Sequence, residues 1–267
     1  MRVVASIFWK ELRSYFLSPI AYVVLTGFTA ISGFLFYQMV NFFIRLTTLI
    51  AGYEDKIQRG RELNLADDLM GPLFKNLNLF LLILVPAITM RLFAEEKKLK
   101  TEELLLTCPI RMGQVVMGKY LASLVLLVLM LVPVGVYTAL ILGYGYRPDP
   151  GTILAGYLGL FLVAFSLSAV GIFSSTLTEN QIIAFFVCAV LGIFFFTIGI
   201  AGNSVGTVTL FSYQFNLGEF FRQLSLLTHF DNFVSGRIYL SDLIYFFSMI
   251  VFFLFVSRSS AESARWG

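Results

Sequence analysis

The stretch Leu79-Phe80-Leu81-Leu82-Ile83-Leu84-Val85 is apolar at every position. In hydrocarbon every backbone N–H and C=O needs an internal partner, so a chain crosses it either as α-helices or as a closed β-barrel. A barrel strand alternates apolar and polar residues over about ten positions. This stretch has no alternation, and it reads as the interior of a membrane-spanning helix.

The rest of the chain has the same character. Its 267 residues are 58% hydrophobic and 13% charged, whereas an average soluble domain carries roughly 25% charged residues. A helix rises about 1.5 Å per residue, so crossing a layer about 30 Å thick takes about 20 mostly apolar residues. Charges and turn residues divide the sequence into six such runs, expected at about 20–44, 73–92, 115–143, 152–177, 181–201 and 239–257. The second run is short unless Lys75 extends to the interface on its long side chain. Arg147-Pro148-Asp149-Pro150 stops the third helix and turns the chain into the fourth. The expected fold is an all-α polytopic membrane protein forming a single domain over 1–267, with an amphipathic lead-in helix at 1–18 and a loop at 93–112. Turn chemistry at Gly202-Asn203-Ser204-Val205-Gly206 opens a segment, 202–238, expected to be external and helical. No apolar signal core with a small-residue cleavage site follows Met1 directly, so the first helix is read as retained.

An even number of spans places both termini and the 91–119 segment on one side. That side holds eleven Lys and Arg residues against eight on the other, which favours cytoplasmic termini by a modest margin. Pro86 and Pro133 each remove a hydrogen bond from their span and favour a kink. Small residues recur four apart at Ala184, Cys188 and Gly192, at Ala164 and Ser168, and at Gly171 and Ser175, which implies close helix contact.

Several function classes are disfavoured. The net charge of +3 and the lack of a basic face with interleaved aromatics argue against nucleic acid. Cys108 and Cys188 cannot build a disulfide framework or a metal cluster, and the lone His229 is a poor metal ligand set, so no cofactor is expected. His229 and Asp231, two apart, diverge on a helix and make a weak acid–base pair. No charge lies in the central part of any run, which disfavours an ion-coupled carrier. There is also no Gly-rich phosphate loop ending in Gly-Lys-Ser or Gly-Lys-Thr, so ATP is not bound in that manner.

Two polar features remain. On a helical wheel Val3, Val4, Ile7, Phe8, Leu12, Tyr15 and Phe16 share one arc, with Arg2, Ser6, Lys10 and Arg13 opposite, the pattern of a helix lying along a membrane surface. Glu11 falls inside the apolar arc, where an unpaired carboxylate is costly. It needs a protein partner, another subunit included, or a route to water. The second feature is Arg91 to Ile110. Glu96 with Lys100 and Lys98 with Glu102 are spaced to pair on a helix. Thr101 then suits a cap, Glu102 and Glu103 favour a helix N-terminus, Leu104-Leu105-Leu106 follow, and Pro109 ends the element. Its leucines either rest on the membrane interface or dock a cytosolic protein.

This loop, with its Glu-Glu pair, basic residues, Thr, acidic residues, leucines, Thr and Pro, resembles that of ABC-2 type transporter permeases. Phe8 to Pro19 is similar to that family's amphipathic lead-in helix, and His229 to Ile238 to the segment preceding its last span, so the resemblance reaches across most of the chain. Within the family it looks most like the gliding-motility-type permeases, then the nitrous-oxide-reductase maturation permeases. One departure is Lys100, which stands where a Gly often precedes the motif's Thr.

The resemblance implies a permease subunit without its own ATPase site, moving a substrate across the bacterial plasma membrane. Its partners would be a cytosolic ATP-binding subunit and a second permease subunit, alike or different, within membrane lipid. Glu95, Glu96, Thr101, Glu102, Leu104, Leu105, Thr107 and Pro109 would form a coupling element for the ATPase, and Lys10, Glu11 and Arg13 the lead-in helix contact. The charged outer segment Ala51 to Gly71 suits a solvent-exposed helix or the surface for an extracytoplasmic accessory protein. A non-transporting scaffold or channel subunit, or a lipid-modifying membrane enzyme, are the alternative readings, and nothing in the sequence specifies a substrate.

Overall fold

The computed structural model describes residues 2–52, 64–101, 110–145, 148–202, 207–210 and 213–263. Among these, six helices are long and apolar enough to cross a membrane. The chain is an all-α polytopic membrane protein, with a small strand pair among the described residues.

The amphipathic helix α1 (Arg2–Leu17) buries Ile7 and Tyr15, and only Ser18 separates it from α2 (Pro19–Gly52), the first span. A π-helical turn at Ala66–Met70 runs directly into α3 (Gly71–Thr89), and after a one-residue break at Met90 the same rod continues as α4 (Arg91–Lys98). The third to fifth spans are α5 (Met112–Tyr144), α6 (Pro150–Thr176) and α7 (Gln181–Gly202). Asp149 caps α6 by accepting from the Gly151 amide at 3.1 Å, and Pro150 takes the first helical position, where a missing N–H costs nothing.

Among the described residues of the 202–238 segment beyond Gly202, helix begins at Leu217. The segment contains an antiparallel strand pair, β1 (Thr207–Leu210) and β2 (Tyr213–Asn216), with Thr207 opposite Asn216 and Leu210 opposite Tyr213. Thr-Val-Thr-Leu and Tyr-Gln-Phe-Asn both alternate polar and apolar residues and are rich in β-branched and aromatic types, the signature of a strand. Helix resumes as α8 (Leu217–Gln223) and α9 (Leu226–Val234), and α10 (Leu240–Ser263) is the sixth span.

The bundle is organised around α6, which packs on α3, α4, α5, α7, α9 and α10. It is 67% buried over its most apolar window, against 22% for α2 and for α7, so α6 is the protein-facing centre while α2 and α7 turn most of their surface outward. Small residues allow this crowding. A Cβ added at Gly156 would meet the Phe74 ring at 2.6 Å, and one at Gly171 would overlap the Thr89 hydroxyl, so both positions exist to let α3 approach. Ser123 of α5 and Ser168 of α6 share a hydrogen bond of 2.7 Å between their hydroxyls, which satisfies both in the core. Asn78 of α3 is fully buried within the bundle.

Candidate functional site

The charged residues singled out in α1 and α4 converge on one that sequence reading had counted only as a loop charge, Lys119 on α5. Its side chain is 1% exposed. The ammonium donates to Glu11 Oε1 at 2.9 Å and to the Leu92 carbonyl, and it faces Glu96 Oε2 at 2.9 Å in an ionic contact. Two of the ammonium's three donors are thus hydrogen-bonded, and the Glu96 contact is purely ionic. The Phe93 ring lies under it at 4.9 Å, a cation–π contact. Glu96 also accepts from Lys10 at 2.9 Å through its other oxygen. Two cations and two carboxylates thus close a neutral knot joining α1, α4 and α5. Burial alone would lower the Lys10 ammonium, but the hydrogen bond and charge of Glu96 outweigh it and hold it above the ordinary lysine value.

Local sequence explains why the three helices meet. Gly118 precedes Lys119, and a Cβ there would stand 2.9 Å from Ile7 Cγ2 and 3.1 Å from the Val4 carbonyl, so glycine lets α1 lie directly on α5. Glu11 then reaches Lys119 from inside the apolar arc of α1, which resolves the misplaced carboxylate. Arg91 stacks over the Tyr15 ring at 4.4 Å, and the Tyr15 hydroxyl donates to the Ile88 carbonyl at 3.4 Å, so α1 is also fixed to the α3–α4 break.

That break is held from the other side by α6. The Ser175 hydroxyl accepts from the Phe93 amide at 2.9 Å and the Ala94 amide at 3.0 Å, and donates to the Met90 carbonyl at 2.9 Å. A serine on one helix thereby caps the N-terminus of another, because the first turn of α4 has amides with no helical acceptor. Lys97 adds a hydrogen bond of 2.8 Å to the Thr176 carbonyl. Beyond Lys98 the helix closes in a Schellman arrangement. The Thr101 amide bonds to the Glu96 carbonyl and the Lys100 amide to the Lys97 carbonyl, both at 3.0 Å, with Lys100 at φ 54°. Lys100 therefore occupies the left-handed position that glycine favours.

Among the expected coupling residues, Glu96 sits in the knot, Glu95 is exposed on the same end, and Thr101 sits on the closing turn with its hydroxyl 3.3 Å from the Glu96 carbonyl. Lys10 and Glu11 enter the knot, while Arg13 is exposed beside it. Glu102, Leu104, Leu105, Thr107 and Pro109 lie outside the described residues. The expected Glu96–Lys100 pair is replaced by the pairs with Lys10 and Lys119, because Lys100 stands past the end of α4 and no helical spacing connects them.

A sequence model of ABC-2 family transporter proteins matches residues 55–258. The chain belongs to the ABC-2 family. A comparison with curated proteins gives no match. The matched region contains Glu96, Lys119 and Ser175, and it begins after Lys10 and Glu11. In this ABC-2 membrane subunit the helix that leads to the loop between the second and third spans is therefore clamped on two faces, by α6 through Ser175 and Lys97, and by α1 and α5 through the charged knot.

The opposite end of the ABC-2 bundle carries a second polar cluster. His229 Nδ1 lies 2.7 Å from Asp242 Oδ1, and Nε2 lies 2.9 Å from the Gln223 carbonyl. A carbonyl only accepts, so Nε2 carries hydrogen. Asn232 donates to the other Asp242 oxygen at 3.1 Å, and Tyr245 stacks on the imidazole with ring centres 4.0 Å apart. Asp231 instead pairs with Lys75 at 3.0 Å, so it and His229 serve different partners. The cluster fastens α9 to the start of α10. His229 and Asp242, 13 residues apart, gave no spacing signal in the sequence.

Proposed function

We propose that this chain is the permease subunit of an ATP-driven transporter that moves a substrate across the bacterial plasma membrane, with the energy supplied by a separate cytosolic ATP-binding subunit. In this reading it works beside a second permease subunit, with both termini and α4 on the cytoplasmic side. The ATPase docks on the segment running from Glu95 through Pro109, whose leucines provide an apolar contact. The lead-in helix and loop motifs support a place among the gliding-motility-type permeases, with export as the direction of transport.

The observation that carries this reading is the Lys119 knot. A displacement of the docked segment pulls on α4, and α4 cannot move without disturbing ionic contacts to α1 and α5 and the Ser175 bonds to α6. Packed elements of this kind transmit a pull as a shift between discrete arrangements rather than a smooth bend. Burying Lys119, Glu11 and Glu96 for stability alone is a poor trade, since apolar residues of similar volume do as well. A device that keeps three helices in register gives the charges a purpose.

Cross-linking tests the docking surface. Thr101→Cys, in a background of Cys108→Ser and Cys188→Ala, is expected to cross-link to an ATP-binding subunit in native membranes through a short bifunctional reagent. Ser235→Cys, exposed at the other end of the bundle, is expected not to do so. The reverse pattern would overturn the assignment.

A further inference from the structure

We propose that the cleft between α1 and α4 binds a phospholipid headgroup carrying both a phosphate and a primary ammonium, that is, a phosphoethanolamine. The cleft encloses about 700 Å³ and is walled by Trp9, Arg13 and Ser14 of α1 and by Arg91 and Glu95 of α4. Lys10 borders it but is committed to Glu96. Among the described residues neither Arg13 nor Arg91 has a carboxylate within ion-pair distance. Arg91 and Glu95 are four apart on one helix, a spacing at which opposite charges commonly pair, yet Arg91 lies over the Tyr15 ring and, among the described residues, Glu95 has no cation within ion-pair distance. Two guanidinium groups and one carboxylate therefore border one cleft without neutralising each other. Guanidinium groups hold phosphate oxygens through paired hydrogen bonds, and a carboxylate holds a primary ammonium.

The level of the cleft favours a lipid over an acidic protein. α1 passes into the span α2 across one residue and α4 continues out of the span α3, so the cleft lies where the chain meets the bilayer surface. Trp9 on its rim is 66% exposed, as suits an indole at headgroup depth. From the cleft Leu17 at the end of α1, and then Ile20 and Val23 of α2, are 75%, 44% and 68% exposed, an apolar strip along which acyl chains lie. An acidic protein would use the guanidinium groups but not the strip. A bound headgroup braces α1 against α4 beside the Lys119 knot. This inference does not depend on the transport reading.

The test is native mass spectrometry of the full-length, delipidated chain titrated with phosphatidylethanolamine, phosphatidylcholine or phosphatidylglycerol of matched acyl chains. The expected result is retention of phosphatidylethanolamine at a several-fold lower concentration than either of the others. Arg13→Gln with Arg91→Gln is expected to reduce that retention to the phosphatidylcholine level. Glu95→Gln is expected to weaken phosphatidylethanolamine without weakening phosphatidylglycerol. An unchanged Tm in each variant keeps a folding defect separate from a binding defect. Equal retention of all three lipids, or wild-type retention by the double variant, would overturn the proposal. Unchanged lipid binding together with loss of an acidic protein partner would reassign the cleft to that protein.

Discussion

Lys119 of α5 and Glu11 of α1 are 108 positions apart in the chain and 2.9 Å apart in the fold. Removing the lysine strands Glu11, which is 12% exposed, and leaves Glu96, 16% exposed, with Lys10 alone. Lys119→Met is therefore expected to lower stability by about 3–5 kcal/mol, the range for breaking one side of a buried pair. Adding Glu11→Gln and Glu96→Gln is expected to recover much of the loss, because the triple variant buries no uncompensated charge. Thermal unfolding in detergent compares them, and a triple variant less stable than the single one would contradict the pairing.

Ser175 supplies one hydroxyl to three backbone groups at the α3–α4 break. Ser175→Ala leaves these groups without a partner, at a local cost of about 1–3 kcal/mol. Hydrogen exchange is expected to quicken at the Phe93 and Ala94 amides while α9, at the far end, keeps its protection. Uniform loss of protection would mean that the serine acts on the whole bundle rather than on the break.

Lys100 holds φ 54° at the end of α4. A side chain in this left-handed conformation costs roughly 1–2 kcal/mol, and glycine escapes that cost. Lys100→Gly is expected to stabilise the turn and slow exchange at the Leu99 to Thr101 amides, whereas Lys100→Val should do the opposite. Faster exchange in the glycine variant would show that the turn is not held in this conformation.

Glu96 holds Lys10 above its ordinary value of 10.5. The contribution of a raised lysine is fully present below the unfolded value and is lost as pH rises through the folded one. Docking of α1 is thus expected to be flat through the neutral range and to loosen only above 10.5, followed by Trp9 fluorescence in a Trp266→Phe variant. A transition near neutral pH would point to a different group.

The spans were legible because continuous apolar runs such as Leu79 to Val85 are long and have one consistent interpretation in lipid. The strand pair at 207–216 lies in a segment expected to be external and helical, although its alternation is visible once Thr207 to Leu210 is read at period two. Glu11 was conspicuous as a carboxylate in an apolar arc, which says that a partner is needed but not which one. Lys119 carried no signal, since a lysine near a span end ordinarily reaches water and only tertiary packing buries it. Ser175 fell on a small-residue stripe, where spacing implies contact but is silent about the amides of Phe93 and Ala94. At Lys100 the non-glycine residue still takes the left-handed turn, which the Schellman bonds at the end of α4 hold in place.

The central claim is that a separate ATP-binding chain drives this membrane subunit through the segment following α4. The most direct measurement is gentle-detergent purification of the tagged protein and of its Leu105→Asp variant from native membranes, with mass spectrometry and an ATPase assay on each. The expected result is a stoichiometric ATPase with the unaltered chain and none with the variant, which still inserts in the membrane. An intact oligomer without an ATPase, or equal ATPase recovery with Leu105→Asp, would contradict it.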